Sequence, residues 1–237
     1  MTRRRWIADE VTGDRATLRG QNAYHLARVL RAKVGQQFDI LADSRLRQAR
    51  ILMLSDDRVE FELGDEVPAP GLPVEITLLL SIFKFDRMEW VLEKATELGV
   101  ASIVPVIARR TETHLASAAV KRVDRWQRIV HEAAQQARRA SVPEVASPAK
   151  LSTVLAAGSP GIVLAESEHE VLLKNVLADM KAGKTIRLAV GPEGGWTNDE
   201  LETFQKAQWR AASLGKNILR AETAAIAALA VAISELT

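Results

Sequence analysis

The sequence predicts a two-domain α/β protein: a small β-barrel over residues 1–70, then a parallel sheet covered by helices over residues 71–237. Three observations carry this. Residues 1–67 hold short strand patterns separated by turn residues, with one helical segment among them. Val67 to Pro73 (VPAPGLP) packs three prolines and a glycine into seven residues, the composition of a linker. Beyond it, apolar strand-like runs alternate with helical segments, which implies parallel strands joined by crossover helices.

In the first part, Ala16 to Leu18, Gln37 to Leu41, Ala49 to Leu54 and Arg58 to Leu63 have strand character. Gly13-Asp14, Asp43-Ser44 and Asp56-Asp57 supply the turns. Asn22 to Leu30 reads as a helix with Leu26, Val29 and Leu30 on one face. In the second part, Val74 to Ile82 is a nearly continuous apolar run, suited to a strand buried on both faces. A helix follows over Asp86 to Leu98, its apolar positions including Trp90 and Val91, with Gly99 as its stop. Then come strand Ser102 to Ile107, a long helix Val120 to Arg139, strand Gly161 to Ala165 and helix Val171 to Met180. The chain closes with strand Thr185 to Val190, helix Asn198 to Ala207, strand Ala211 to Leu214 and helix Glu222 to Leu236.

Of the 237 residues, 47% are hydrophobic and 26% charged, as in a water-soluble globular protein, and no apolar run approaches the ~20 residues needed to span a bilayer. The Arg-rich start is followed by no apolar stretch of signal-peptide length, so a cytosolic protein is expected. The absence of cysteine excludes disulfides, thiolate metal sites and cysteine nucleophiles, and the four histidines lack metal-ligand spacing. The net charge of +2 hides an uneven distribution. Residues 1–50 hold 11 Lys/Arg against 5 Asp/Glu and residues 109–150 hold 9 against 4, two blocks to which a polyanion would be steered.

Two loops sit between a strand and a helix, where open α/β sheets bind their ligands. The first is GPEGGWT, Gly191 to Thr197, whose glycines let backbone approach a ligand; Asn198 is the expected N-cap of the next helix. The second is SLGKNILRAETA, Ser213 to Ala224, with Gly215 turning the chain and Arg220 just before the last helix. Neither is a GxxxxGK[ST] phosphate loop nor a GxGxxG fingerprint, which removes the nucleotide-binding classes those motifs define.

Taken together, GPEGG and LGxxILRxETA some twenty residues later resemble the carboxy-terminal signature of the SPOUT methyltransferases, whose last elements form a trefoil knot. Lys84 to Val100 (KFDRMEWVLEKATELGV) and Arg125 to Val145 (RWQRIVHEAAQQARRASVPEV) narrow this to the RsmE type, the 16S rRNA (uracil-N3) methyltransferases. His25 to Gln36 (HLARVLRAKVGQ) is similar to the PUA-like RNA-binding barrel of that family. The chain departs from the pattern at Arg109 to Leu115, where RRTETHL stands in place of a basic-serine element expected to touch substrate.

The resemblance implies transfer of a methyl group from S-adenosylmethionine to N3 of one uridine, within the assembled small ribosomal subunit, by a homodimer. It places the cofactor among Leu164, Ala165 and Glu166; Gly191, Pro192, Glu193, Gly194 and Gly195; and Ser213, Leu214, Gly215, Ile218, Leu219 and Arg220. Leu214, Gly215 and Ile218 would hold the adenine. Arg220 is the expected stabiliser of the uracil oxygens, with Glu193 or Glu222 as proton acceptor or as the group orienting Arg220. Arg3, Arg4, Arg5, Arg28, Arg31 and Lys33 of the barrel, with Lys84, Arg138 and Arg139, are the candidate RNA contacts. Two other functions remain open: a SPOUT enzyme acting on another RNA, and a non-catalytic RNA-binding factor of the same fold.

Overall fold

The computed structural model describes residues 5–43, 45–68, 74–180 and 185–236. Arg3, Arg4 and most of the proline-rich linker lie outside them. The chain divides into two compact units, residues 1–71 with 134–142, and residues 72–133 with 143–237.

The first unit is a mixed six-stranded sheet built from β1 (Trp6–Ile7), β2 (Glu10–Thr12), β3 (Arg15–Arg19), β4 (Gln37–Ala42), β5 (Arg45–Leu54) and β6 (Arg58–Glu66). Its order is β1-β4-β5-β6-β3-β2, with only the β1–β4 pair parallel. β1 and β2 are therefore its edges, and the expected barrel is an open, half-barrel sheet. Register shifts between β5 and β6, at Arg47/Ala49 and Ile51/Met53, mark bulges, which bend a sheet and increase its twist. Its concave core holds Trp6, Leu18, Ile40, Ile51, Val59 and Phe61. The helical segment is α1 (Gly20–Tyr24) continued by a π-helical turn His25–Val29, and it packs Ala23 and Leu26 into that core. Val29 and Leu30, expected on its apolar face, are exposed. The returning segment adds to the same unit: Ala134 and Val142 pack with Ile7 and Leu41, and Arg5 Nη1 donates to the Arg138 carbonyl at 2.5 Å.

The second unit is an all-parallel sheet with helices between its strands. Its elements are β7 (Glu75–Ser81), α2 (Phe85–Leu98), β8 (Ser102–Ile107), α3 (Thr113–Ala119), α4 (Val123–Gln136), β9 (Glu144–Val145), β10 (Ala149–Lys150), α5 (Leu151–Ala156), β11 (Ile162–Leu164), α6 (Leu173–Asp179), β12 (Thr185–Val190), α7 (Asn198–Lys206), β13 (Arg210–Ala212) and α8 (Ala221–Leu236). The last turn of α4 belongs to the first unit. The strand order is β10-β8-β7-β12-β11-β13, with β9 paired beside β8. Alternate strand residues are buried on opposite faces. Leu79, Val106, Val163 and Ala189 cluster with Leu151, Val154 and Leu155 of α5 and Phe204 of α7, while α8 packs against α2 and α6.

Local chemistry accounts for the boundaries. Gly99 ends α2 at φ 104°, the left-handed conformation that glycine adopts without steric cost. Thr197, not Asn198, caps α7: its hydroxyl accepts from the Glu200 amide and Glu200 reaches back to the Thr197 amide, a reciprocal capping box. No helix among the described residues is long and apolar enough to cross a membrane.

Candidate functional site

The strand order assembles the site. β12, β11 and β13 are neighbours, so the loops leaving their carboxyl ends lie side by side although 22 to 48 residues apart in sequence. The Ala165 amide donates to the Ala212 carbonyl at 3.1 Å, and Ser213 exchanges backbone bonds with Val171 and Leu173, tying the first loop to the third. Trp196 ties the second to the first: its indole Nε1 donates to the Leu164 carbonyl at 3.0 Å. A Cβ at Gly191 would stand 3.2 Å from that same nitrogen, which is why the loop begins with glycine.

Between the loops is an open cleft enclosing about 100 Å³. Every residue expected to hold a cofactor lines it except Gly194 and Arg220. Leu164, Pro192, Leu214, Ile218 and Leu219 supply apolar wall, and Glu166 and Glu193 supply carboxylates. Gly215, at φ 126°, turns the third loop, and the Ser213 hydroxyl bonds both its amide and its carbonyl. His169, Trp196 and Lys216 also line the cleft. His169 had no sequence signal, because only the pairing of Leu172 in its loop with Ser213, just beyond β13, brings it there.

The nominated carboxylates have a partner that sequence reasoning missed. Arg87, on α2, places Nη1 3.1 Å from Glu193 Oε1 and 3.5 Å from Glu222 Oε1. Glu222 therefore pairs with Arg87 and not with Arg220. Its Oε2 is buried with no hydrogen-bond partner among the described residues. Arg220 is exposed, and its guanidinium makes no hydrogen bond or ion pair among the described residues. Arg87 was legible only as part of the KFDRMEW motif, since nothing local shows which loop it faces.

The basic candidates separate by environment. Arg31, Lys33 and Lys84 are exposed, as is Arg28, which forms a two-pronged pair with Asp56 at 2.6 and 2.7 Å. Arg138 has φ 56°, and its carbonyl is the acceptor for Arg5. Arg139 is 9% exposed, and burial pushes its guanidinium down to about 10. That burial withdraws it from the surface on which a phosphate contact was expected. Trp126 and Trp209 are core, but Trp90, read from the sequence as an apolar position of its helix, is 46% exposed.

A family model described as an RNA methyltransferase domain matches residues 70–233, and one described as an RNA methyltransferase PUA domain matches residues 18–64. The ribosomal RNA small subunit methyltransferase E of Mycobacterium tuberculosis is 33% identical over 228 residues, 92% of this chain and 86% of that protein. The solved structure of a ribosomal RNA small subunit methyltransferase E from Neisseria gonorrhoeae, bound to S-adenosyl methionine, is similar at TM-score 0.80 and 32% identity, covering 96% of this chain and 95% of that one. A methyltransferase from Legionella pneumophila in complex with the same cofactor is similar at TM-score 0.83 and 26% identity, covering 99% and 98%.

Proposed function

Starting from the fact that this chain belongs to the ribosomal RNA small subunit methyltransferase E family, we propose that it methylates N3 of a single uridine in 16S rRNA, using S-adenosylmethionine. The observation that carries the proposal is the convergence of the loops after β11, β12 and β13 on one cleft.

The cleft suits this cofactor chemically. Its apolar wall fits an uncharged purine, and Glu166 and Glu193 favour cationic groups while repelling phosphates. Leu214, Gly215 and Ile218 would face the adenine. Bound there, S-adenosylmethionine supplies an electrophilic methyl group on a sulfonium. The trefoil knot that the resemblance implies is the threading that would hold these three loops together.

For N3 of uridine to form a bond to the methyl carbon, its proton must leave. Glu193 lines the cleft with its side chain 34% exposed, and Arg87 holds only its Oε1, so the other oxygen is free to accept that proton. Glu222 suits the part less well, because its unpaired oxygen is buried. Deprotonation spreads charge onto O2 and O4, where Arg220, held by no carboxylate, would stabilise it. The first unit would hold RNA through exposed Arg31, Lys33 and Arg28. The Arg28–Asp56 pair is a surface pair, of the kind worth little, which a phosphate can displace.

The mapping experiment is methyl transfer from labelled cofactor to small subunits from a strain lacking the enzyme. One 3-methyluridine is the expected product. Cofactor binding without incorporation would reject this substrate, and absence of cofactor binding would favour a non-catalytic RNA-binding factor of the same fold.

The protein would work in the cytoplasm as a homodimer. α8 is apolar almost all round, yet Ile226, Ala227 and Val231 are only half-buried and Ala230 is exposed, leaving an apolar stripe for a second copy. Replacing Ala230 by Glu should halve the mass measured by light scattering without lowering the yield of folded protein. An unchanged dimer mass would remove α8 from the interface.

A further inference from the structure

Residues 109–111, the first three of the 109–115 stretch where the sequence departs from its family pattern, reach the glycine loop from the end of a different strand. β8 lies two strands from β12, with β7 between them. The turn leaving β8 is pinned in place: the Thr111 hydroxyl accepts from the Ala108 amide at 3.1 Å and donates to the Ile82 carbonyl at 3.2 Å. From this base the Arg109 amide donates to Glu200 Oε1 at 2.7 Å. The Arg110 guanidinium extends over the loop, and its Nη1 donates to the carbonyls of Gly194 and of Trp196, the latter at 3.4 Å. The Arg110 stem lies so close that a Cβ at Gly194 would meet its Cδ at 3.2 Å.

These bonds hold two peptide planes at both ends. In the Gly194–Gly195 peptide the carbonyl accepts from Arg110, and the amide donates to the Pro192 carbonyl at 2.8 Å. In the Trp196–Thr197 peptide the carbonyl accepts from Arg110, and the amide donates to Glu200 Oε2 at 2.9 Å. Because a peptide unit is planar and rigid, fixing both its ends fixes the direction of the chain through it. The intervening side chain, Trp196, carries the constraint on to Leu164 in the neighbouring loop.

We propose that Arg110 is a positioning residue for the cofactor, clamping the 191–197 loop into its binding conformation, and that segment 109–111 serves the cofactor loop and does not contact RNA. This rests on the cleft being a cofactor site. A pre-formed loop avoids the entropy cost of ordering it when ligand arrives, so the clamp acts on cofactor affinity and not on the chemical step. Glu200 is the second arm of the clamp, because one carboxylate caps α7 and holds Arg109.

The test is Arg110→Ala beside Arg110→Lys, with cofactor affinity by calorimetry, thermal melting without ligand, and turnover on small subunits. The alanine variant should raise the Kd for S-adenosylmethionine about 5- to 20-fold, the loss of two charge-assisted bonds at an exposed site. Its melting temperature, its kcat at saturating cofactor and its KM for subunits should match the parent. Lysine should restore part of the affinity, since one ammonium can reach one carbonyl. An unchanged Kd with a raised KM for subunits would overturn the proposal in favour of a phosphate contact. A fall in melting temperature shared by both variants would overturn it in favour of a merely structural bond. No cofactor binding by the parent protein would instead overturn the methyltransferase reading itself.

Discussion

Replacing Arg220 by alanine should slow methyl transfer about 100- to 1,000-fold, the cost typical of removing one donor from a site of developing negative charge. The Kd for S-adenosylmethionine should change by less than about 3-fold, because an interaction made only with the charged uracil contributes nothing before the uracil arrives. The structure makes this test clean. Arg220 has no side-chain partner among the described residues, so its removal strands no buried carboxylate. Its backbone role is independent of the side chain: the carbonyl accepts from the Ala224 amide at 2.8 Å, which anchors the first turn of α8. Single-turnover measurements at saturating cofactor and subunit isolate the step. A variant that turns over at the parental rate would remove Arg220 from the chemistry.

The largest effect on stability is expected from Gly161→Ala. Gly161 is buried just before β11, and a Cβ built there runs into the Arg187 carbonyl, with the Arg187 Cβ at 2.8 Å and the Trp209 ring at 2.9 Å. Neither neighbour is free to withdraw. The Arg187 carbonyl belongs to the middle of β12, and the Arg187 guanidinium donates to the carbonyls of Ser159 and Val154 at 2.9 Å while lying 5.3 Å from the Trp209 ring centre. Overpacking of this kind costs about 3 kcal/mol or more, which corresponds to a fall of roughly 6–12 °C in melting temperature. The same change at Gly13, where the space is open, should cost about 1 kcal/mol through its positive φ alone. A Gly161→Ala protein that melts within a degree or two of the parent would show that β11 and β12 can separate at little cost.

Sequence and structure agree most closely where one dominant force decides. The strands Ser102–Ile107 and Thr185–Val190 coincide with their apolar runs, because burial on both faces leaves an unmistakable pattern. β1 and β2 have two and three residues, too few for alternation to register, and β1 pairs parallel with β4 across more than thirty residues. The long helix expected over Val120 to Arg139 is a tighter turn at Val120–Arg122 followed by α4 to Gln136, and α3 and α5 had no clear apolar period. Most of the residues that line the cleft were legible because they lie in two contiguous motifs, whereas Leu164, Ala165 and Glu166 came from the resemblance alone. Their anchors were not legible: Arg87 and Arg110 act across gaps of 106 and 84 residues, and a one-dimensional pattern carries no sign of which loop a distant arginine meets. The same limit misplaced Arg139, whose burial depends on a fold-back rather than on its neighbours in sequence.

That fold-back has a further consequence. The first unit contains residues 134–142 as well as residues 1–71, and Ala134 and Val142 cover Ile7 and Leu41. The small domain is therefore not an interchangeable module that recombination could lift out with one boundary on each side. A gene fragment ending in the proline-rich linker would encode a sheet with part of its cover missing, and a fragment beginning there would carry that cover with nothing to protect. A change of volume at Ile7 is therefore felt at Ala134 and Val142, more than a hundred residues downstream.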